Sequence, residues 1–184
     1  VNPLGAMPVF LSLTADESDI ERKGTATRAS LYFVIILLVF FFIGHYVLLF
    51  FGISIEALRI AGGLIILNSG YGLLQDNFAK SRSIDKKVHS EAKDSDDSSL
   101  TPIAIPLLAG PGSISMLIGL FAEQQSNLSY LVISGEIIAV GLVTFLILRT
   151  SPKLVKLLGV AGMKSVSRII GFITMAVGVQ FLIN

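Results

Sequence analysis

Residues 30–52, SLYFVIILLVFFFIGHYVLLFFG, contain no Asp, Glu, Lys or Arg, and His45 is the one imidazole among them. At 1.5 Å per residue such a helix is roughly 35 Å long, enough to cross the hydrocarbon core of a bilayer, which is about 30 Å thick. A water-soluble fold has no place for a helix of that length that is apolar on every side. In lipid every backbone polar group must be satisfied within the protein, which leaves the helix as the natural state of such a run. The chain is an all-α integral membrane protein.

The same test finds further spans at 54–76, 102–121, 129–149 and 165–183. The opening segment, Val1 to Leu13, is apolar but too short to cross. With no Met at its head, it reads as the second half of a first helix whose native start is missing. A re-entrant half-helix is the alternative. The expectation is therefore six helices, with the first and fourth discontinuous. No secretory signal is recognisable, because no basic region precedes an apolar one. The chain has no cysteine, which rules out disulfides and thiolate metal sites. A net charge of +1 offers no electrostatic reason to bind nucleic acid. The expected partners are the lipid bilayer and a small ligand; no metal and no cofactor is expected, and the oligomeric state is not legible.

Of the 14 basic residues, Arg22, Lys23 and Arg28 lie between the first two spans. Lys80, Arg82, Lys86, Lys87 and Lys93 follow the third, and Arg149, Lys153, Lys156, Lys164 and Arg168 lie around the junction of the fifth and sixth. Arg59 is the exception. Positive charge on alternate connections places 15–29, 77–100 and 150–164 in the cytoplasm of a cell (inner) membrane. Residues 77–100, NFAKSRSIDKKVHSEAKDSDDSSL, are polar and poor in apolar anchors, and read as a flexible linker, with His89 on its surface. In the first connection, Thr14-Ala-Asp-Glu17 has the spacing of a capping box that would open a short surface helix.

The linker divides the chain into repeats of 1–76 and 101–184. Pro3 matches Pro111 at an offset of 108, and Arg59 matches Arg168 at 109. Three spans per half is an odd number, so the second half inserts upside down, the inverted-repeat plan of many secondary transporters. Gly62 and Ser69 in one half, and Gly171 and Gly178 in the other, are each seven apart and lie on one helix face, as close helix packing requires.

Helix breakers interrupt two apolar runs at matching places: Asn2-Pro3-Leu4-Gly5, with Pro8 beyond, and Ala109-Gly110-Pro111-Gly112. Thr101-Pro102 would cap the first half of the fourth helix, and Ser113 the second half. Irregular backbone at membrane depth is tolerated only where protein buries it or a polar cavity meets it. Amides opening a half-helix suit a carboxylate, and carbonyls closing the preceding half suit an ammonium group or a cation. Paired breaks therefore form a candidate site for a small zwitterion; a pair of proline kinks that only shape packing is the alternative.

NPLGAMP followed by FLSLT, FGISIEALRIAGG after the second span, and LLAGPGSIS in the fourth resemble the MarC family of membrane proteins, which includes SnatA-type small neutral amino acid transporters. The resemblance implies a transporter for glycine, alanine or serine, working by alternating access and driven by an ion gradient, of protons in the first instance. It also implies that Asn2, Pro3, Leu4, Gly5, Gly110, Pro111, Gly112 and Ser113 touch the substrate. An exporter or channel for another small solute on the same scaffold is the alternative function.

Two further polar residues inside spans are candidates for coupling or for lining a cavity. Glu136 has no basic neighbour in sequence, and an acid within a span is expensive; either it carries a proton or it reaches an aqueous vestibule. Asn68 could bond across helices or line the cavity. His45 reads as a packed or interfacial residue. Neither H-E-x-x-H nor G-x-S-x-G is present, and Ser113 and Ser115 have no evident base, so no enzyme is expected.

Overall fold

In the computed structural model, residues 2–75, 108–123 and 126–183 are described. The linker 77–100 and the first half of the fourth helix, with its Thr101-Pro102 cap, lie outside the described residues. Six helices are present among those described, and no strand. They are α1 (Pro3–Leu13), α2 (Asp19–Phe51), α3 (Ile55–Leu74), α4 (Pro111–Glu123), α5 (Asn127–Gly159) and α6 (Ala161–Ile183). Four of them, α2, α3, α5 and α6, are long and apolar enough to span a bilayer. The chain is thus a multi-pass membrane protein.

Local chemistry sets the boundaries. Asn2 caps α1, its Oδ1 accepting from the Gly5 amide at 2.9 Å, and Pro3 occupies the first helical position, where its missing N–H costs nothing. The helix then runs unbroken through Pro8. The capping box of the first connection forms four residues later than Thr14-to-Glu17, at Ser18-to-Glu21. Ser18 N donates to Glu21 Oε2 at 2.8 Å, and Glu21 N to Ser18 Oγ at 3.3 Å. Thr14 is unavailable for the role, because it is buried at the end of α1 with its hydroxyl donating to Phe10 O at 2.8 Å. The Arg22 guanidinium donates to the carbonyls of Thr14 (2.8 Å) and Glu17 (3.1 Å), closing the turn. No separate surface helix forms; the basic residues of 15–29 ride on the first turns of α2 instead.

Two glycines in the left-handed region end the long helices. Gly52 (φ 65°) stops α2, with Ile53 N donating back to Leu48 O at 3.0 Å, and Ser54 at once caps α3. Gly159 (φ 63°) separates α5 from α6, so the expected connection at 150–164 is helical on both sides of one bend. Pro152 lies inside α5 without ending it. A proline there removes the donor that would serve Leu148 O four residues back. The buried Ser151 hydroxyl donates to that carbonyl at 2.6 Å in its place.

The interior gathers Ala6 and Phe10 of α1, Ala29, Phe33, Leu37 and Phe41 of α2, Leu117 of α4, and Ile133, Ile137 and Leu148 of α5. On α2 the buried positions recur every three or four residues, from Ala26 to Leu48, while Leu31, Ile35, Phe42, Tyr46 and Leu49 face outward. Apolar groups on both faces are what a helix between core and lipid needs. Phe41 lies against Tyr130, and Val34 against Gly141, so α2 and α5 run antiparallel. The basic start of α2 and the basic end of α5, with Lys153 and Lys156, therefore share one side of the molecule.

The expected small-residue faces differ by one residue on α3. Gly63 and Gly70, not Gly62 and Ser69, meet Gly178 and Gly171 of α6. Gly62 instead faces Ser115 of α4.

Candidate functional site

Where α1 and α4 begin, against the seam of α3 and α6, lies a cavity of about 400 Å³. Asn2 bounds it on one side, and Gly110, Pro111, Gly112, Ser113 and Met116 on another. The seam contributes Ile65, Ile66 and Ser69 from α3, and Ile170, Ile173, Thr174 and Val177 from α6. Leu108 completes the lining. The two breaker-rich segments, more than a hundred residues apart in sequence, thus meet on one cavity.

Sequence places helix starts there for physical reasons. Gly110 is non-helical, and its carbonyl accepts from Ser113 N (3.0 Å) and Ile114 N (3.2 Å), so α4 begins with Pro111. Ser113 lies inside the first turn and is not the cap. Pro111 has no N–H, and the Gly112 amide precedes the first donor of the helical ladder, as the first amides of any helix do. A Cβ on Gly112 would run into the Ile66 side chain, so a glycine lets α4 lie this close to α3. At α1, Asn2 spends its carboxamide oxygen on the Gly5 amide, and Asn2 O accepts from Ala6 N at 3.1 Å. A Cβ on Gly5 would sit 2.5 Å from the Asn2 amide nitrogen, so the cap needs glycine at that position.

Asn2, Gly110, Pro111, Gly112 and Ser113 therefore line the cavity, while Pro3, Leu4 and Gly5 are half-buried in the first turn of α1 behind Asn2. Glu136 and Asn68 are both exposed, on α5 and α3, and neither borders the cavity. Glu136 lies nine residues below the start of a 33-residue helix, or about 14 Å. His45 is packed in a ring cluster, 6.0 Å from both Tyr46 and Phe121.

Sequence reasoning missed Thr174, Ile66, Met116 and the cavity-facing role of Ser69. No motif marks them; only the rotation of α3, α4 and α6 about their axes does. Among the described residues, no Asp, Glu, Lys, Arg or His lines the cavity, and no cluster of His, Cys, Asp and Glu could hold a metal. The polar groups there are hydroxyls, one carboxamide and backbone.

The whole chain, residues 1–184, matches the family described as MarC family integral membrane protein. It is 36% identical over 182 residues to a UPF0056 membrane protein of Buchnera aphidicola subsp. Schizaphis graminum, covering 99% of this chain and 84% of that one. It is 36% identical over 181 residues to the UPF0056 membrane protein YvbG of Bacillus subtilis, covering 98% and 86%. To the UPF0056 inner membrane protein MarC of Citrobacter koseri it is 33% identical over 192 residues, covering 100% and 87%. No solved structure matches the chain. With its whole length matched and four helices long and apolar enough to cross a bilayer, the chain belongs to the MarC family of integral membrane proteins.

Proposed function

We propose that the chain is a secondary transporter of small neutral amino acids, of the glycine, alanine and serine class, working by alternating access in the cytoplasmic membrane and driven by an ion gradient. The observation that carries this reading is a cavity without a charged side chain among its described lining residues, flanked by the starts of two helices. A ligand of net charge entering such a site would stay uncompensated, at a cost of several kcal/mol. A zwitterion brings both charges itself, and helix dipoles and hydroxyls can satisfy each end.

An inverted repeat is supported by boundaries that coincide at one offset. α1 and α4 begin at Pro3 and Pro111, and α2 and α5 at Asp19 and Asn127, each pair 108 apart. Gly52 and Gly159, both left-handed, end the long helices of the two halves. The same offset carries Gly63 onto Gly171 and Gly70 onto Gly178, so a twofold axis would exchange the contact Gly63–Gly178 with Gly70–Gly171. Two such halves rocking about a fixed central site is the usual basis of alternating access. The shared basic end of α2 and α5 supports a cytoplasmic location for that side, and relatives named as inner membrane proteins support the membrane.

The test is uptake of labelled glycine and alanine into proteoliposomes holding the full chain. Saturable uptake that collapses when the ion gradient is dissipated is expected. The absence of specific flux across a panel of small amino acids would overturn the substrate class, and flux that never saturates would mean a channel. In Gly112→Leu the added side chain meets Ile66, itself part of the lining; loss of binding with helix content retained by circular dichroism supports the site, and unchanged binding argues against it.

A further inference from the structure

Two hydroxyls face the cavity from the α3–α6 seam, and both have already committed their hydrogens. Ser69 Oγ donates to Ile65 O at 2.8 Å, and Thr174 Oγ1 donates to Ile170 O at 2.7 Å. A hydroxyl carries one hydrogen and two lone pairs. With the hydrogen held by its own helix, each oxygen can only accept, so this wall presents acceptors to a ligand. The side formed by the start of α1 presents the opposite chemistry. Asn2 has spent its oxygen on Gly5, which leaves its NH2 to offer. The cavity is therefore polarised, with donors at the helix starts and acceptors on the seam.

We propose that Ser69 and Thr174 form an ammonium-binding subsite, so that a small amino acid binds with its amino group against the α3–α6 seam and its carboxylate toward the starts of α1 and α4. The inference rests on the amino acid reading above and adds the orientation of the ligand and the residues that demand its amine. A bonded N–H donor needs acceptors whose geometry is fixed in advance, and a hydroxyl tied to its own helix turn is fixed. Ile66, Ile170 and Ile173 surround the two hydroxyls with apolar surface, which leaves a ligand's amino group few other acceptors on this wall.

The test compares alanine with propionate, which keeps the carboxylate and methyl group but lacks the amine. Binding of each is measured to the full chain in nanodiscs, for the parent protein, Ser69→Ala, Thr174→Val and the double variant. The double variant is expected to bind alanine at least tenfold more weakly with propionate unchanged, so that the preference for the amine collapses. Thr174→Ser, which keeps a hydroxyl, is expected to retain that preference. Equal binding of alanine by all variants would overturn the proposal, as would parallel loss of alanine and propionate, which marks a packing role. Repeating the series in sodium and in choline chloride adds a further arm. If the variants shift only a sodium requirement, the hydroxyls serve a metal cation and the proposal is overturned. Should the parent protein bind neither alanine nor glycine, the amino acid reading itself falls and takes this inference with it.

Discussion

A Cβ built on Gly63 would lie 3.0 Å from the carbonyl oxygen of Gly178, and one built on Gly178 would lie 3.0 Å from the carbonyl oxygen of Gly63. Seven residues along, Gly70 and Gly171 repeat the relationship at 2.7 and 2.9 Å. Backbone thus rests on backbone along the α3–α6 seam, which forms one wall of the cavity. Between membrane helices, where lipid competes equally for apolar surface, such close approach is a main source of association.

The seam gives the first prediction. In Gly178→Ala the added methyl meets Leu67 N at 2.7 Å and Leu67 Cα at 2.9 Å, and neither atom can swing aside. The helices must part, at a cost of roughly 1–3 kcal/mol, the usual scale of overpacking. Gly72→Ala, on the facing helix α3 with nothing within 4 Å, should be neutral or stabilising by up to about 1 kcal/mol from helix propensity. Denaturant titration of both variants in one detergent, read by circular dichroism, would separate the two.

Pro152 supplies a second case. Because Ser151 Oγ replaces the missing donor to Leu148 O, Ser151→Ala leaves a buried carbonyl unpaired and should cost about 1–3 kcal/mol. Adding Pro152→Ala restores the backbone N–H and should recover most of that loss. A double-mutant cycle in thermal stability checks it; additive effects would refute the link.

Thr144 makes the opposite prediction. It is fully buried in α5, and its hydroxyl has no hydrogen-bond partner among the described residues. Thr144→Val removes an unsatisfied polar atom at nearly constant shape, so stability should hold or rise by about 1 kcal/mol. A clear loss of stability in the same titration would mean that the hydroxyl is bonded in the membrane.

The turn between α1 and α2 depends on one guanidinium. Arg22 reaches Thr14 O, Thr14 Oγ1 and Glu17 O, and pairs with Asp19 at 3.3 Å. Charge-assisted hydrogen bonds contribute about 1.5–3 kcal/mol. Arg22→Ala should therefore raise hydrogen exchange of the 14–18 amides by roughly tenfold or more, with the α3–α6 seam unchanged. Arg22→Lys should rescue it poorly, since an ammonium lacks the planar fork that bonds two carbonyls.

Much of the architecture is legible in residue order because the bilayer imposes few solutions. The uncharged run from Ser30 to Gly52 could only be a spanning helix, and α2 contains it. Pro3 and Pro111, 108 apart, sit where α1 and α4 begin, because the first helical position needs no N–H donor and suits proline's fixed φ. Asn2 and the Gly110–Ser113 segment stand out by their chemistry, and both border the cavity. Two consecutive stretches, Thr14-to-Glu17 and Ser18-to-Glu21, have capping-box spacing, and the second forms the box. Sequence spacing has no means to choose between them once Phe10 and Arg22 claim Thr14.

The primary structure alone determined that this chain lives in a membrane, the four long apolar helices able to cross it, and where the helix breakers fall, since hydropathy, span length and proline chemistry are local properties. Which side of each helix does the work was decided only in three dimensions. Neighbouring residues on a helix point about 100° apart. Rotating α3 by that one step decides whether Gly62 or Gly63 meets α6, and whether Asn68 or Ser69 faces the cavity. Packing sets that rotation: Gly63 and Gly70 are where the backbone of α6 can come closest, and that contact brings Ser69 to the rim of the cavity and keeps Asn68 off it.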